Sequence, residues 1–214
     1  MIQWDTYHDL LSTLFDPEYA YAGYKPAEAE IPNADGIVDT GKRYLHIARK
    51  YDPPDWAAEV LATAHWQACL IAERIGVPDM YYPRTENGTL RVLEYSAGAG
   101  SSEHTDFDLF TVNLWRSSPI DHEWGEQDAD QRWTWHRGAE AYHVGELGEI
   151  VGMGRARMHR VIARPYAQRA LVYFAMPANS ARLPFVPSCN PPRWSSQRVG
   201  EWVAERTARS RVKL

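Results

Sequence analysis

The chain has 214 residues, a formal net charge of −5 and a pI near 5.9. That length suits one domain with a full core and is short for two, and the acidic balance argues against nucleic-acid binding as its main business. The opening Met1-Ile2-Gln3-Trp4-Asp5 has neither a basic n-region nor an apolar h-region, and no apolar run approaches the ~20 residues of a spanning helix. A cytoplasmic protein with no secretory or membrane segment is expected, and Cys69 and Cys189 stand at no metal-binding or disulfide-framework spacing.

Taken in chain order, residues 1–88 read as helical or irregular. Short helices are expected near 4–14 and 38–50, with a loop from Pro26 to Pro32. The clearest helix follows Pro53-Pro54. Asp55 is its N-cap candidate, Gly76 and Pro78 supply the stop, and Trp56, Val60, Leu61, Ala64, Ile71 and Ile75 recur at helical spacing. His65 on this helix reads as a polar surface or satisfied core residue. From Leu90 the period changes to two. Residues 91–95, 109–115, 157–163 and 169–176 read as strands, and 195–211 as a C-terminal helix. The small-residue stretch 97–102 lacks the Gly-Lys-Ser/Thr of a phosphate loop.

Between the second and third of those strands, residues 121–130 read as a long acidic hairpin loop. Four of the nine tryptophans, Trp115, Trp124, Trp133 and Trp135, crowd this region. Trp133 and Trp135 are expected in the core, while Trp124 belongs either to a substrate lid or to the core. His122, His136 and His143 have no partner at ligand spacing and are not expected to be metal ligands. Strands joined by turns, with helix at one end, point to a mainly β jelly-roll or cupin-like barrel.

The chemistry concentrates in Glu103-His104-Thr105-Asp106-Phe107 and in the later Met158-His159-Arg160-Val161. On an extended strand, side chains two residues apart share a face, so His104 and Asp106 project together. With His159 from a remote strand they make a two-histidine, one-carboxylate set. That set suits a mononuclear non-haem Fe(II) centre with positions left open for oxygen chemistry. Arg169 opens the apolar run Ala170-Leu171-Val172-Tyr173-Phe174 and offers a rigid fork to a carboxylate.

These residues, with Leu90 to Ser96, His104 to Thr111, Val144-Gly145-Glu146-Leu147-Gly148 and Arg169 to Pro177, resemble the isopenicillin-N-synthase-like family of Fe(II)- and 2-oxoglutarate-dependent oxygenases. The resemblance covers roughly residues 88–178 and extends from the helix at 55 to the C-terminus. It implies one oxygenase domain over 1–214, with a double-stranded β-helix over about 89–178. It implies His104, Asp106 and His159 as iron ligands and Arg169 as the partner of the distal carboxylate of 2-oxoglutarate. Tyr95 is either a phenol donor to that cosubstrate or a packing residue.

Two departures stand out. Leu171 replaces the serine of the family's Arg-x-Ser, and Leu93-Glu94-Tyr95-Ser96 keeps only the tyrosine of its Asn-x-Tyr-Pro. Asp108, Trp115 and Tyr173 are candidates to line the substrate cavity, each equally explained as core. The implied reaction couples decarboxylation of 2-oxoglutarate by molecular oxygen to hydroxylation, or a related C–H oxidation, of a small organic molecule, with natural-product metabolism the expected setting. Asp106, in the carboxylate position, argues against halogenation. An Fe(II) oxidase of the same fold that dispenses with 2-oxoglutarate is the alternative, and Leu171 favours it.

Overall fold

The computed structural model describes residues 2–25, 41–118, 121–127, 132–184 and 197–209. Two antiparallel sheets dominate them. The larger has six strands. In spatial order these are β1 (Tyr24–Lys25), β2 (Lys42–Ile47), β3 (Thr89–Tyr95), β10 (Gln168–Ala175), β5 (Phe110–Arg116) and β8 (Tyr142–Val144). The smaller runs β4 (Ser101–His104), β9 (Met158–Val161), β6 (His122–Gln127) and β7 (Trp133–Arg137).

Helix α2 (Asp55–Ile75) packs on the outside of the larger sheet against β10, β2 and β3. Its buried Ala57, Val60, Leu61, Ala64, Ala68 and Ala72 recur every three or four residues, the stripe a helix needs to seat on a sheet. The small alanines let the helix approach closely. Pro54 takes the cap position and Asp55 sits in the first turn, where its charge meets the positive end of the helix dipole. Gly76 ends the helix in the left-handed region at φ 72°, as its lack of a Cβ allows. α1 (Trp4–Ser12) joins the same layer, α3 (Glu146–Ile150) follows β8, and α4 (Val199–Arg209) closes the described chain. None of the described helices is long and apolar enough to cross a membrane.

β10 separates two cores, because alternate side chains of a strand point to opposite faces. Leu171, Tyr173 and Ala175 join Leu11, Leu14, Leu61 and Trp202 in the helix-facing core. Ala170 and Val172 join Tyr44, Leu93, Tyr95, Ala99 and Val161 in a second core between the sheets.

Three expectations need correction. Residues 42–47 form strand β2, not helix. Tyr44, Leu45 and Ile47 fill positions on both faces of a covered sheet, so burial there outweighs any local helical preference. Most of the stretch read as an acidic loop is β6, whose Glu123 is paired by Arg160 at 2.7 Å and Arg137 at 3.4 Å from neighbouring strands. Trp133 and Trp135 stack on each other on the edge strand β7, and Trp133 is 39% exposed instead of lying in the core. The predicted loop at 26–32, residues 38–40 of the predicted helix, and Cys189 lie outside the described residues.

Candidate metal centre

The site begins with a register. β4 and β9 run antiparallel with His104 directly opposite His159, which places the two imidazoles on one face with centroids 4.3 Å apart. Asp106 lies just beyond the end of β4. Its Oδ1 stands 3.8 Å from His104 Nε2 and its Oδ2 3.7 Å from His159 Nε2. One ligand atom from each residue falls within 4.8 Å of the other two, a spacing able to hold a metal ion.

The tautomers are fixed by what each ring touches. His104 Nδ1 donates to the Ser102 carbonyl at 2.7 Å and His159 Nδ1 to the Arg157 carbonyl at 3.1 Å. A carbonyl can only accept, so each Nδ1 carries the proton and each Nε2 keeps its lone pair for a metal. Burial, followed by the neighbouring His104, holds His159 well below the ordinary histidine range. Its Nε2 is therefore unprotonated at neutral pH and able to bind a metal ion.

Asp106 is aimed by two donors. Thr111 Oγ1 on β5 and His143 Nε2 on β8 reach its Oδ2 at 2.6 and 2.9 Å. Asn113 Nδ2 stands 3.4 Å from His143 Nδ1 and donates to the Glu140 carbonyl at 2.7 Å, which steadies the ring. Burial would raise the Asp106 carboxyl, but His159, His143 and His104 around it hold it well below the usual carboxylate range. Asp108, 2.8 Å from Thr111 Oγ1 through its Oδ2, is pushed well above that range by burial and by Asp106. The protonated Asp108 donates to Thr111, and Thr111 passes its own proton's hydrogen bond to Asp106.

The loop carrying Asp106 is clamped from below by the first turn of α3. The amides of Glu146 and Leu147 donate to the Asp106 and Asp108 carbonyls at 2.8 and 3.1 Å. Such close approach needs Gly145, where a Cβ would lie 2.4 Å from the Asp108 carbonyl oxygen. Thr105, pointing the other way, donates to Glu146 Oε1 at 2.7 Å, and Glu146 pairs with both Nε and Nη2 of Arg206 on α4.

His104 and Asp106 open onto a cavity of about 530 Å³. Its walls include Arg91, His46, Phe107, Phe174 and Met176, and α4 contributes Val203, Ala204, Thr207 and Ala208. Arg91 lies over the rings of Tyr44 and Phe174, 4.6 Å from each centroid, and donates through Nε to His46 Nε2 at 2.8 Å. The cavity thus combines apolar and aromatic surface with the Arg91 guanidinium and Lys50, beside the candidate metal ligands.

Of the residues singled out in the sequence, His104, Asp106 and His159 come together, Asp108 lies beside them, and Tyr95 is buried between the sheets. Arg169, Trp115 and Tyr173 do not reach the cluster. Along β10 the even positions point between the sheets and the odd ones outward, so Arg169 is exposed, pairs with Asp9 of α1 and lies over Trp115. Leu171 is on that outer face too, so its side chain does not stand where a site serine would. Tyr173 reaches His65 Nδ1 on α2 at 2.9 Å, and Trp115 packs on His8 of α1. The inward positions at this end of β10 are Gln168, which donates to the Ile162 carbonyl at 2.8 Å, and Ala170.

A bulge in β5 accounts for Trp115. Leu171 pairs with Trp115 but Val172 pairs with Asn113, so Leu114 is an extra residue. This slip turns Trp115 outward and Arg116 inward. Sequence reasoning missed Thr111, Asn113, Arg116, His122 and His143. Their signal was polar residues at near-alternate positions of an apolar strand, visible in Phe110-Thr111-Val112-Asn113 but masked at Arg116 by the bulge.

Two outcomes follow from this packing. His143→Ala is expected to weaken Mn(II) binding about 10- to 100-fold in equilibrium dialysis, because the ring that orients Asp106 is lost. Unchanged affinity would remove His143 from the site. His122, 5.4 Å from His159 by ring centroid, is lowered to about 2 by burial and by the nearby Arg116 and His143. Its folded pKa is depressed, so the unfolded chain takes up the proton first as pH falls through about 6.5. The stability this group contributes is complete above that pH and falls by about 1.4 kcal/mol per pH unit below it. Metal-free protein should therefore show a lower urea midpoint at pH 5 than at pH 7.5, and His122→Phe should shrink the difference. An equal difference in the variant would contradict the assignment.

No protein-family model matches the chain, and no curated protein sequence matches it. Solved structures do. A full-length Neurospora crassa protein in complex with alpha-KG (2-oxoglutarate) superposes with a TM-score of 0.65 at 14% identity, over 95% of this chain and 82% of that one. A dioxygenase for auxin oxidation (DAO) from rice gives 0.57 at 15% identity, over 97% and 82%. JOX2 in complex with 2OG, Fe and JA gives 0.55 at 16% identity, over 87% and 65%. At these identities the likeness is one of fold.

Proposed function

We propose that the chain is a non-haem Fe(II)- and 2-oxoglutarate-dependent dioxygenase of the isopenicillin-N-synthase-like type. It hydroxylates, or otherwise oxidises at a C–H bond, a small organic molecule, in natural-product metabolism. Its two sheets form a double-stranded β-helix, and residues 1–214 make a single domain around it. One observation carries the reading. His104, Asp106 and His159 converge with both Nε2 lone pairs available, and His104 and Asp106 open onto a cavity sized for a small molecule. That solved structures of the same fold hold alpha-KG, or 2OG with Fe, supports it.

Fe(II) would be held by Nε2 of His104 and His159 and by the Asp106 carboxylate. With 2-oxoglutarate and oxygen it supplies C–H oxidation, one oxygen atom entering succinate and the other the product as carbon dioxide leaves. The remaining work falls to the chain. Thr111 and His143 fix Asp106, Asp108 keeps the proton that holds Thr111 in place, and Phe107, Phe174 and α4 exclude water from the cavity. Fe(II) survives in reducing surroundings, which supports a cytoplasmic setting. The net charge of −5 supports a small-molecule substrate over nucleic acid.

The outward Arg169 favours a second reading, an oxidase of this fold that needs no 2-oxoglutarate. Succinate assay separates the two. Fe(II)-loaded protein in air is expected to convert 2-oxoglutarate slowly to succinate without substrate, and Asp106→Ala to abolish this. Consumption of oxygen and a substrate with no succinate would establish the oxidase.

A further inference from the structure

We infer that Arg116 on β5, not Arg169 on β10, is the residue that pairs with the distal carboxylate of 2-oxoglutarate. The inference rests on the proposed dioxygenase reading and deepens it.

The β5 bulge is what brings Arg116 to the interior. It stands opposite Ala170, an inward position of β10, while its neighbour Trp115 stands opposite the outward Leu171. Tyr95 on β3 is opposite Gln168, the next inward residue of β10. Tyr95, Gln168, Ala170 and Arg116 therefore form one patch across three adjacent strands. Arg116 is half-buried there with its Nε fully buried, and its charge bears on Tyr95, Asp106 and His122.

Within the described residues the Arg116 side chain is under-satisfied. Nη2 donates to Asn113 Oδ1 at 2.7 Å, while Nε is buried with no acceptor. A guanidinium drawn partly out of water is costly unless an anion meets it, and its planar fork matches a carboxylate. The neutral Asn113 amide does not supply that charge. Asp106, the acid it does feel, is committed to the metal set.

Its position relative to the metal is also fixed. Arg116 holds Asn113, Asn113 stands against His143, and His143 holds Asp106. A diacid bound to the metal at one end would meet a cation held in register with the metal ligand itself. Arg91, which lines the cavity, is instead laid between Tyr44 and Phe174 in its wall and bonded to His46.

The test is calorimetric binding of 2-oxoglutarate and of 2-oxobutyrate, which lacks the distal carboxylate, to Mn(II)-loaded protein without oxygen. The wild type is expected to prefer 2-oxoglutarate about a hundredfold, the scale of a desolvated charge pair. Arg116→Gln should erase that preference, weakening 2-oxoglutarate far more than 2-oxobutyrate on the Mn(II)-loaded protein. Arg116→Lys should keep part of it, and Arg169→Gln and Arg91→Gln all of it. Should Arg116→Gln fail to fold, Arg116→Lys carries the test by the same ratio. A preference that survives in Arg116→Gln or is undiminished in Arg116→Lys, or that vanishes in Arg169→Gln or Arg91→Gln, overturns the inference. So does equal loss of both 2-oxo acids, which marks a structural role. Wild-type protein that binds Mn(II) but neither acid would sink the dioxygenase reading itself.

Discussion

Asp106→Ala is expected to abolish metal binding. It is the one carboxylate of the triad, and its two oxygens do different work. Oδ2 is occupied by Thr111 and His143 at 2.6 and 2.9 Å, so Oδ1 is the oxygen left for a cation. Removing the carboxylate also removes the negative charge that faces the clustered His104, His143 and His159 imidazoles. A loss of at least ~1,000-fold in affinity, about 4 kcal/mol, is expected. The readout is thermal denaturation with and without Mn(II). A ligand at about 1,000 times its Kd stabilises the wild type by about 4 kcal/mol, and the variant should show no shift. An unchanged shift would mean the cation binds elsewhere and that the fold houses a binding protein.

Trp202→Ala is expected to cost about 3–5 kcal/mol, a large part of the ~5–15 kcal/mol that holds a domain folded. Trp202 is 1% exposed in the helix-facing core and is what seats α4. The same helix turns Val203, Ala204, Thr207 and Ala208 to the cavity and reaches Glu146 through Arg206. The variant should therefore lose stability and cavity closure together, the second seen as a raised KM once a substrate is known. Trp202→Phe should cost much less, because it keeps most of the volume and drops an indole N–H that is buried without an acceptor among the described residues. Chemical denaturation checks both, and a cost below ~1 kcal/mol for the alanine variant would show that α4 is held by other contacts.

That His104 and Asp106 would come together with His159 was legible from their two-residue spacing, although β4 ends at His104 and Asp106 lies just past it. Helix α2 was legible from its stripe and from Gly76. The direction of Arg169 was not. Ala170, Leu171, Val172 and Tyr173 are all apolar and buried on one face or the other, so the run carries no alternation to read. Which face Arg169 takes is set by pairing, and which way Arg116 turns by a one-residue bulge that composition does not announce. Glu123 and Glu126 looked loop-like because their cations, Arg160, Arg137 and Arg157, arrive from other parts of the chain. His122 and His143 stood alone in sequence; the pairing of β6 with β9 inside the smaller sheet brings His122 to His159, and the apposition of the two sheets brings His143.

The most direct measurement is an anaerobic titration of purified protein with Fe(II) and then 2-oxoglutarate, followed in the visible spectrum. The account predicts a metal-to-ligand charge-transfer band that appears only when both are present, is absent in His159→Ala, and weakens in Arg116→Gln but not in Arg169→Gln. Fe(II) binding with no such band at any 2-oxoglutarate concentration would contradict it and leave the cosubstrate-free oxidase.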